Sequence, residues 1–193
     1  MSANEPDSDA APGALRRVEE LINTFSVDTG TDALTDPAAL AAWLAERDLL
    51  PETVAVSAAD LDRARVVREG LRAIVVANNT PASAARKTDD AARTPAALAD
   101  LAALARELPL VLDPLTTPPT LVPHTPDTPD AALAQLLADV AKSVADGTWS
   151  RMKGCRMCEW AYYDYSRNRS RAWCSMALCG NRAKAQAFRD RSR

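Results

Sequence analysis

CRMCEWAYYDYSRNRSRAWCSMALCGNR, residues 155–182, holds all four cysteines of a 193-residue chain: Cys155, Cys158, Cys174 and Cys179, spaced C-x2-C-x15-C-x4-C. Nothing upstream contains a thiol. Two close pairs in a chain that otherwise avoids cysteine predict one tetrahedral metal site, and Zn²⁺ is the expected occupant because thiolate is its preferred soft ligand. Four protein ligands close the shell, which argues for a structural ion. Two disulfides would use the same residues and would suit a secreted chain. The N-terminal stretch MSANEPDSDAAPG, however, is acidic, bears proline and lacks the apolar core of a signal peptide. A redox role for the C-x2-C half would need a βαβ context that the flanking sequence does not offer.

Charge and aromatic content divide the chain at the same place. Residues 150–193 carry 11 Lys/Arg against 3 Asp/Glu, whereas residues 1–149 carry 12 against 23. The formal charge of −3 therefore hides a basic C-terminal part behind an acidic N-terminal one. Seven of nine aromatic residues lie at or after Trp149. No run of 18 apolar residues is present, so no membrane helix is expected. The expected organisation is a disordered tail over 1–13, a helical domain over 14–146 and a small cysteine domain over 147–193. A cytoplasmic location follows from the absence of a signal.

Helical periodicity places Leu15, Val18, Leu21, Ile22 and Phe25 on one face. Asp36-Pro37 starts a second helix, with Asp36 as N-cap and Leu40, Trp43, Leu44 and Leu49 inward. Ser57-Ala-Ala-Asp60 forms a capping box for the longest helix, over 57–78. Its buried stripe is Leu61, Ala64, Val67, Leu71, Ile74 and Val75. Asp62, Arg63, Arg65, Arg68, Glu69 and Arg72 make its solvated face, and Asn78-Asn79-Thr80-Pro81 stops it. Thr94-Pro95 starts another helix, with Leu98, Leu101, Leu104 and Ala105 inward. Leu110–Leu112 and Thr120–Val122 read as a hairpin. A last helix from Thr128-Pro129 or Asp130 buries Leu133, Leu136, Leu137, Val140 and Val144 and ends at Gly147. The fold class is mainly α, multihelical with a short β-hairpin, followed by a small zinc domain.

The stretch around Cys155–Lys184 resembles the CGNR zinc finger, named for the tetrapeptide that here is Cys179-Gly180-Asn181-Arg182. The likeness spans roughly 153–189. It includes both cysteine pairs, Asp164, Ser166-Arg167-Asn168-Arg169, Trp173–Met176 and Ala183-Lys184. The preceding part is similar to the ABATE domain through Leu21–Thr24, an acidic turn and the helix over 36–50 with its Trp-Leu pair. The family is regarded as bacterial transcription regulators with a link to stress. The resemblance implies DNA binding.

The residues carry their own expectations for the finger. Cys155 and Cys158 form a knuckle whose backbone N–H groups face the sulfurs. Trp160–Trp173 folds as a β-hairpin turning at Ser166–Ser170, though a helical path for 159–165 is a second option. Gly180 takes a left-handed conformation, and Asn181 caps a helix over 182–191 with Phe188 inward. That order is treble-clef-like, although C-x4-C is longer than the usual second pair. Some 40 residues bury too little apolar surface to fold unaided, so the metal supplies the difference.

Arg167, Arg169 and Arg171 alternate and would project to one side of an extended segment. Together with Arg182, Lys184 and Arg189 they make the expected nucleic-acid-binding set, and Arg191 and Arg193 continue it. A basic helix suits the major groove of duplex DNA. Trp160 and Trp173 are expected over the metal. Tyr162, Tyr163 and Tyr165 either join them or stack on bases. A homodimer or partner protein would meet the helical domain. The alternatives are a protein-interaction module, including docking of the finger on the acidic domain, and an RNA binder. An enzyme is not expected: His124 is the single histidine, no catalytic dyad stands out, and with six glycines no phosphate loop is read. Asn23 and Thr24 are the one polar pair in the helical part that merits watching.

Overall fold

A computed structural model describes residues 10–79 and 88–191. The chain begins with α1 (Leu15–Asn23), β1 (Phe25–Ser26), β2 (Thr31–Asp32), α2 (Pro37–Ala45) and α3 (Ala58–Asn78). Next come α4 (Thr88–Ala105), β3 (Leu110–Asp113), β4 (Thr120–Pro123) and α5 (Pro129–Ala145). The last elements are β5 (Met152–Gly154), β6 (Ala161–Tyr163) and α6 (Asn181–Arg191). The strands make three separate antiparallel pairs, β1–β2, β3–β4 and β5–β6.

Local chemistry sets the starts of three helices. Asp36 caps α2 by accepting from the Ala39 amide at 2.9 Å, with Pro37 at the first helical position. The Ser57–Asp60 box caps α3 in both directions, the Asp60 carboxylate accepting from the Ser57 amide at 2.7 Å. Thr128 caps α5, and Gly147 follows that helix at φ 77°. The start of α4 departs from expectation: it begins at Thr88, and Pro95 stands inside it. Thr80 and Pro81 lie outside the described residues, as do the first nine. Residues 10–13, expected within a disordered tail, are held. Ala11 is buried, its amide donates to Glu19 at 2.6 Å, and Tyr165 donates its hydroxyl to the Ala10 carbonyl at 2.9 Å.

One apolar core runs through α1, α2, α3 and α5 and continues past Gly147. Leu21, Ile22, Leu40, Leu71 and Leu136 share it with Met152, Ala161 and Tyr163 of the β5–β6 pair. Three expected inward residues are largely solvent-facing: Leu98, Ala105 and Val144. Leu101, Leu104 and Leu108 do that work for α4 and the turn after it.

The expected wet face of α3 is wrong at two of its six residues. Arg68 and Arg72 are 4% and 3% exposed. Arg68 forks onto Asp32 at 2.7 and 3.0 Å and reaches the Thr24 hydroxyl at 3.1 Å. Arg72 donates to the carbonyls of Ile22 at 2.6 Å and Phe25 at 2.9 Å. The β1–β2 hairpin lies over this side of α3 and brings the acceptors with it. Arg72 therefore answers the Ile22 carbonyl, in the last turn of α1, where helix geometry supplies no intrahelical partner.

Candidate metal centre and basic surface

The chain enters the cysteine region on β5 and turns at a knuckle. The Cys155 amide donates to the Trp160 carbonyl at 2.9 Å, and the Glu159 amide donates to the Cys155 carbonyl at 2.9 Å. Glu159, at φ 58°, takes the left-handed position. Strand β6 then returns beside β5, pairing Met152 with Tyr163 and Gly154 with Ala161. The expected Trp160–Trp173 hairpin is therefore replaced by a pairing with the segment before the first cysteine. The reason is burial: Met152 and Ala161 are fully enclosed, and Gly154 lies so close to α3 that a Cβ would stand 2.5 Å from Val76 Cγ2. The helical option for 159–165 is also excluded.

Of the second pair, Cys174 precedes and Cys179 lies on a π-helical turn, Met176–Gly180, capped by Ser175, which runs directly into α6. Asn181 is thus the first residue of α6 rather than its cap, and its side-chain amide donates to the Ala177 carbonyl at 3.0 Å. Gly180 is not left-handed. Its lack of a Cβ instead leaves room for Met176 Sδ, which a Cβ would meet at 2.8 Å. Phe188, expected inward, is 67% exposed, because α6 buries none of its residues.

All four sulfurs lie within 4.8 Å of one another. Cys158–Cys174 and Cys174–Cys179 are separated by 3.7 Å and Cys179–Cys158 by 3.6 Å. A tetrahedral ZnS₄ centre with bonds of about 2.3 Å has sulfur–sulfur edges of about 3.8 Å. The quartet therefore fits the ion geometrically. Backbone amides of Met157 and Cys174 bond the Cys155 sulfur, and that of Trp160 bonds Cys158, as a knuckle requires. The thiols also fit chemically. S–H groups of Cys158 and Cys174 push Cys155 strongly toward thiolate. Donating to Cys155 pushes Cys158 and Cys174 up, and burial pushes Cys179 up. Four thiolates this close together repel one another, so full ionisation calls for a cation at the centre.

Polar side chains bind this unit to the helices, and sequence reading missed most of them. Asn23 reads the edge of β6, donating to the Ala161 carbonyl at 2.9 Å and accepting its amide at 2.8 Å. Asn79 is buried and donates to the carbonyls of Gly154 at 2.8 Å and Ala172 at 2.9 Å. Arg72 extends to the Glu159 carbonyl at 3.4 Å. The only signal in the sequence was the Asn23-Thr24 pair; Asn79 reads as a helix stop.

The six expected cations separate into different settings. Arg167 and Arg169 are exposed on the turn over 166–169, where Arg169 reaches the Ser150 hydroxyl at 2.8 Å. Arg171 does not alternate with them. It turns inward, donating to the carbonyls of Trp173 (3.0 Å) and Cys174, with its guanidinium 4.9 Å from the Tyr162 ring centre. Arg182 forks onto Asp28 of the β1–β2 turn at 2.8 and 2.9 Å. Lys184 and Arg189 are exposed on α6, as is Arg191; Arg193 lies outside the described residues. The turn stands near Ser150 and the start of α1, whereas α6 begins near Asp28, beyond the end of α1. The set is thus two groups rather than one patch. Tyr162 and Tyr163 are buried, Tyr165 is half exposed, Trp160 is 39% exposed, and Trp173 packs against the cysteine cluster as expected.

Residues 15–147 match the ABATE family, described as "Putative stress-induced transcription regulator", and residues 151–192 match the CGNR zinc finger. These are regulator and zinc-finger types, not enzyme families. No curated protein matches the chain. Among the described residues no helix is long and apolar enough to cross a membrane. With the ABATE match covering most of its length, the chain belongs to the ABATE family and carries a CGNR zinc finger after the ABATE region.

Proposed function

We propose that this protein is a cytoplasmic transcription regulator that holds Zn²⁺ through Cys155, Cys158, Cys174 and Cys179 and grips duplex DNA with the outer surface of that unit. The ion is structural. It pulls together the knuckle, the segment over 171–175 and the start of α6, which share few buried apolar contacts of their own. Apparent zinc binding of about 10–16 kcal/mol is ample for that task. The helical part supplies the place where a signal or second protein acts.

One observation carries the DNA reading. Arg167, Arg169, Lys184, Arg189 and Arg191 are exposed and make no ion pair among the described residues. Such cations are free to displace counterions from phosphates. Their division between a turn and a helix suits contact with phosphates on both sides of a groove, with α6 toward the bases. A single-stranded RNA reading loses support, because Tyr162 and Tyr163 are committed to packing.

The test uses the full-length, zinc-loaded protein and a pool of random duplexes. Retention at low salt, falling by about 0.9 log units per log unit of salt for each phosphate neutralised, is expected. Recovery of an enriched sequence would identify the site. No retention at low salt would overturn the reading.

A further inference from the structure

A buried ion pair holds the backbone of the arginine turn on both sides. Lys153, on β5, is 6% exposed, and Asp164, just after β6, is fully enclosed. The Lys153 ammonium donates to Asp164 Oδ2 at 2.7 Å, to the Arg169 carbonyl at 2.5 Å and to the Arg171 carbonyl at 3.3 Å. An ammonium has three donors, and each is used on this one loop. Asp164 in turn accepts from the amides of Ser166 at 2.9 Å and Arg171 at 3.1 Å. From outside, Arg151 donates to the carbonyls of Asp164 at 2.8 Å and Ser166 at 3.1 Å. The backbone is thus held on both flanks of Arg167-Asn168-Arg169, while the Arg167 and Arg169 side chains face solvent.

A buried ion pair is a poor source of net stability, since apolar residues of similar volume often serve as well or better. What it provides here is a fixed backbone path, in which Arg169 is kept at φ 50°. Without it the turn would have to be ordered at the moment of binding, which costs affinity.

We propose that Lys153 and Asp164, braced by Arg151, are positioning residues for nucleic-acid contact: their hydrogen bonds pre-form the turn that presents Arg167 and Arg169 to phosphate. This rests on the DNA reading above. Neither residue touches the nucleic acid; both act through the two arginines.

The experiment is a mutant cycle in the full-length, zinc-loaded protein, with a labelled random-sequence duplex at low salt as probe. Lys153→Met and Arg151→Met are each made in the parent and in an Arg167→Ala/Arg169→Ala background. In the parent, each should weaken duplex binding, Lys153→Met by about tenfold. In the double-alanine background each should cost almost nothing further, and zinc stoichiometry should stay at one. A general structural defect would instead add the same penalty in both backgrounds. If Lys153→Met does not fold, Arg151→Met carries the test, because Arg151 is only half-buried and leaves no buried charge unpaired. Equal penalties in both backgrounds, or none in a parent that binds, overturn the positioning role alone. A parent that fails to retain duplex overturns the DNA reading and this role with it.

Discussion

Arginines on the two sides of Gly147 have different fates. Before it, Arg16, Arg17, Arg47, Arg63, Arg65, Arg68 and Arg72 each face a carboxylate, at distances from 2.6 Å for Arg17–Asp139 to 3.8 Å for Arg65–Asp32. After it, Lys153 and Arg182 do so. Arg151, Arg156 and Arg171 bond backbone carbonyls, and Arg167, Lys184, Arg189 and Arg191 are exposed. An acidic excess gives these seven arginines structural partners in the helical part, whereas Arg106 is exposed. A carboxylate deficit makes arginine available in the cysteine part. Net charge is thus a statement about which cations can be spent on a partner.

The largest test of this contrast is the metal. Cys174→Ser, or chelation, removes a ligand set whose apparent binding is about 10–16 kcal/mol. Zinc content should fall to zero, and hydrogen-exchange protection should be lost over 155–180. The helices α1, α3 and α5 should keep theirs. Uniform loss of protection would show that the two parts form one cooperative unit.

Arg68→Met probes the paired arginines. It leaves Asp32 with only the more distant Arg65, at 3.8 Å, and urea unfolding should register a loss of about 3 kcal/mol. A loss below about 1 kcal/mol would mean that the fork is worth no more than a surface pair. Gly154→Ala sets a Cβ against Val76, whose Cα and amide lie at 3.0 and 3.1 Å, so the backbone must yield. Stability should fall by about 1–3 kcal/mol with zinc still bound.

Arg167→Ala combined with Arg169→Ala addresses the unpaired cations. Stability should stay within about 0.5 kcal/mol. The slope of log affinity against log salt should drop by about 1.8, two phosphate contacts' worth. The smallest effect belongs to Asp28→Asn, which frees Arg182 and should strengthen duplex binding less than tenfold. Acid should act in the same direction. The bond from Arg182 holds the Asp28 carboxyl below its usual range. The contribution of this pair is therefore present above the ordinary carboxylate value and is lost as pH falls through the lowered one. An unchanged duplex affinity in the asparagine variant would show that Arg182 takes no part in binding.

Much of the framework was legible because its signals are local. The Asp36, Ser57 and Thr128 caps, the 110–113/120–123 hairpin and the cysteine spacing all act within a few residues. The finger's interior was less legible. Trp160 and Tyr162 alternate as a strand should, yet alternation does not name the strand's partner, and β5 lies on the far side of the knuckle. Phe188 has helical spacing, but α6 buries none of its residues.

Sequence alone determined that a thiol quartet exists, that helices precede it and that positive charge gathers around it, since each follows from residue type and short-range spacing. Tertiary structure decided which polar groups are buried. Asn23 meets Ala161 across 138 residues and Arg72 meets Glu159 across 87. The same charged or amide side chain is solvated or enclosed according to whether a distant backbone arrives with a matching donor or acceptor, and only folding brings that partner within hydrogen-bonding distance.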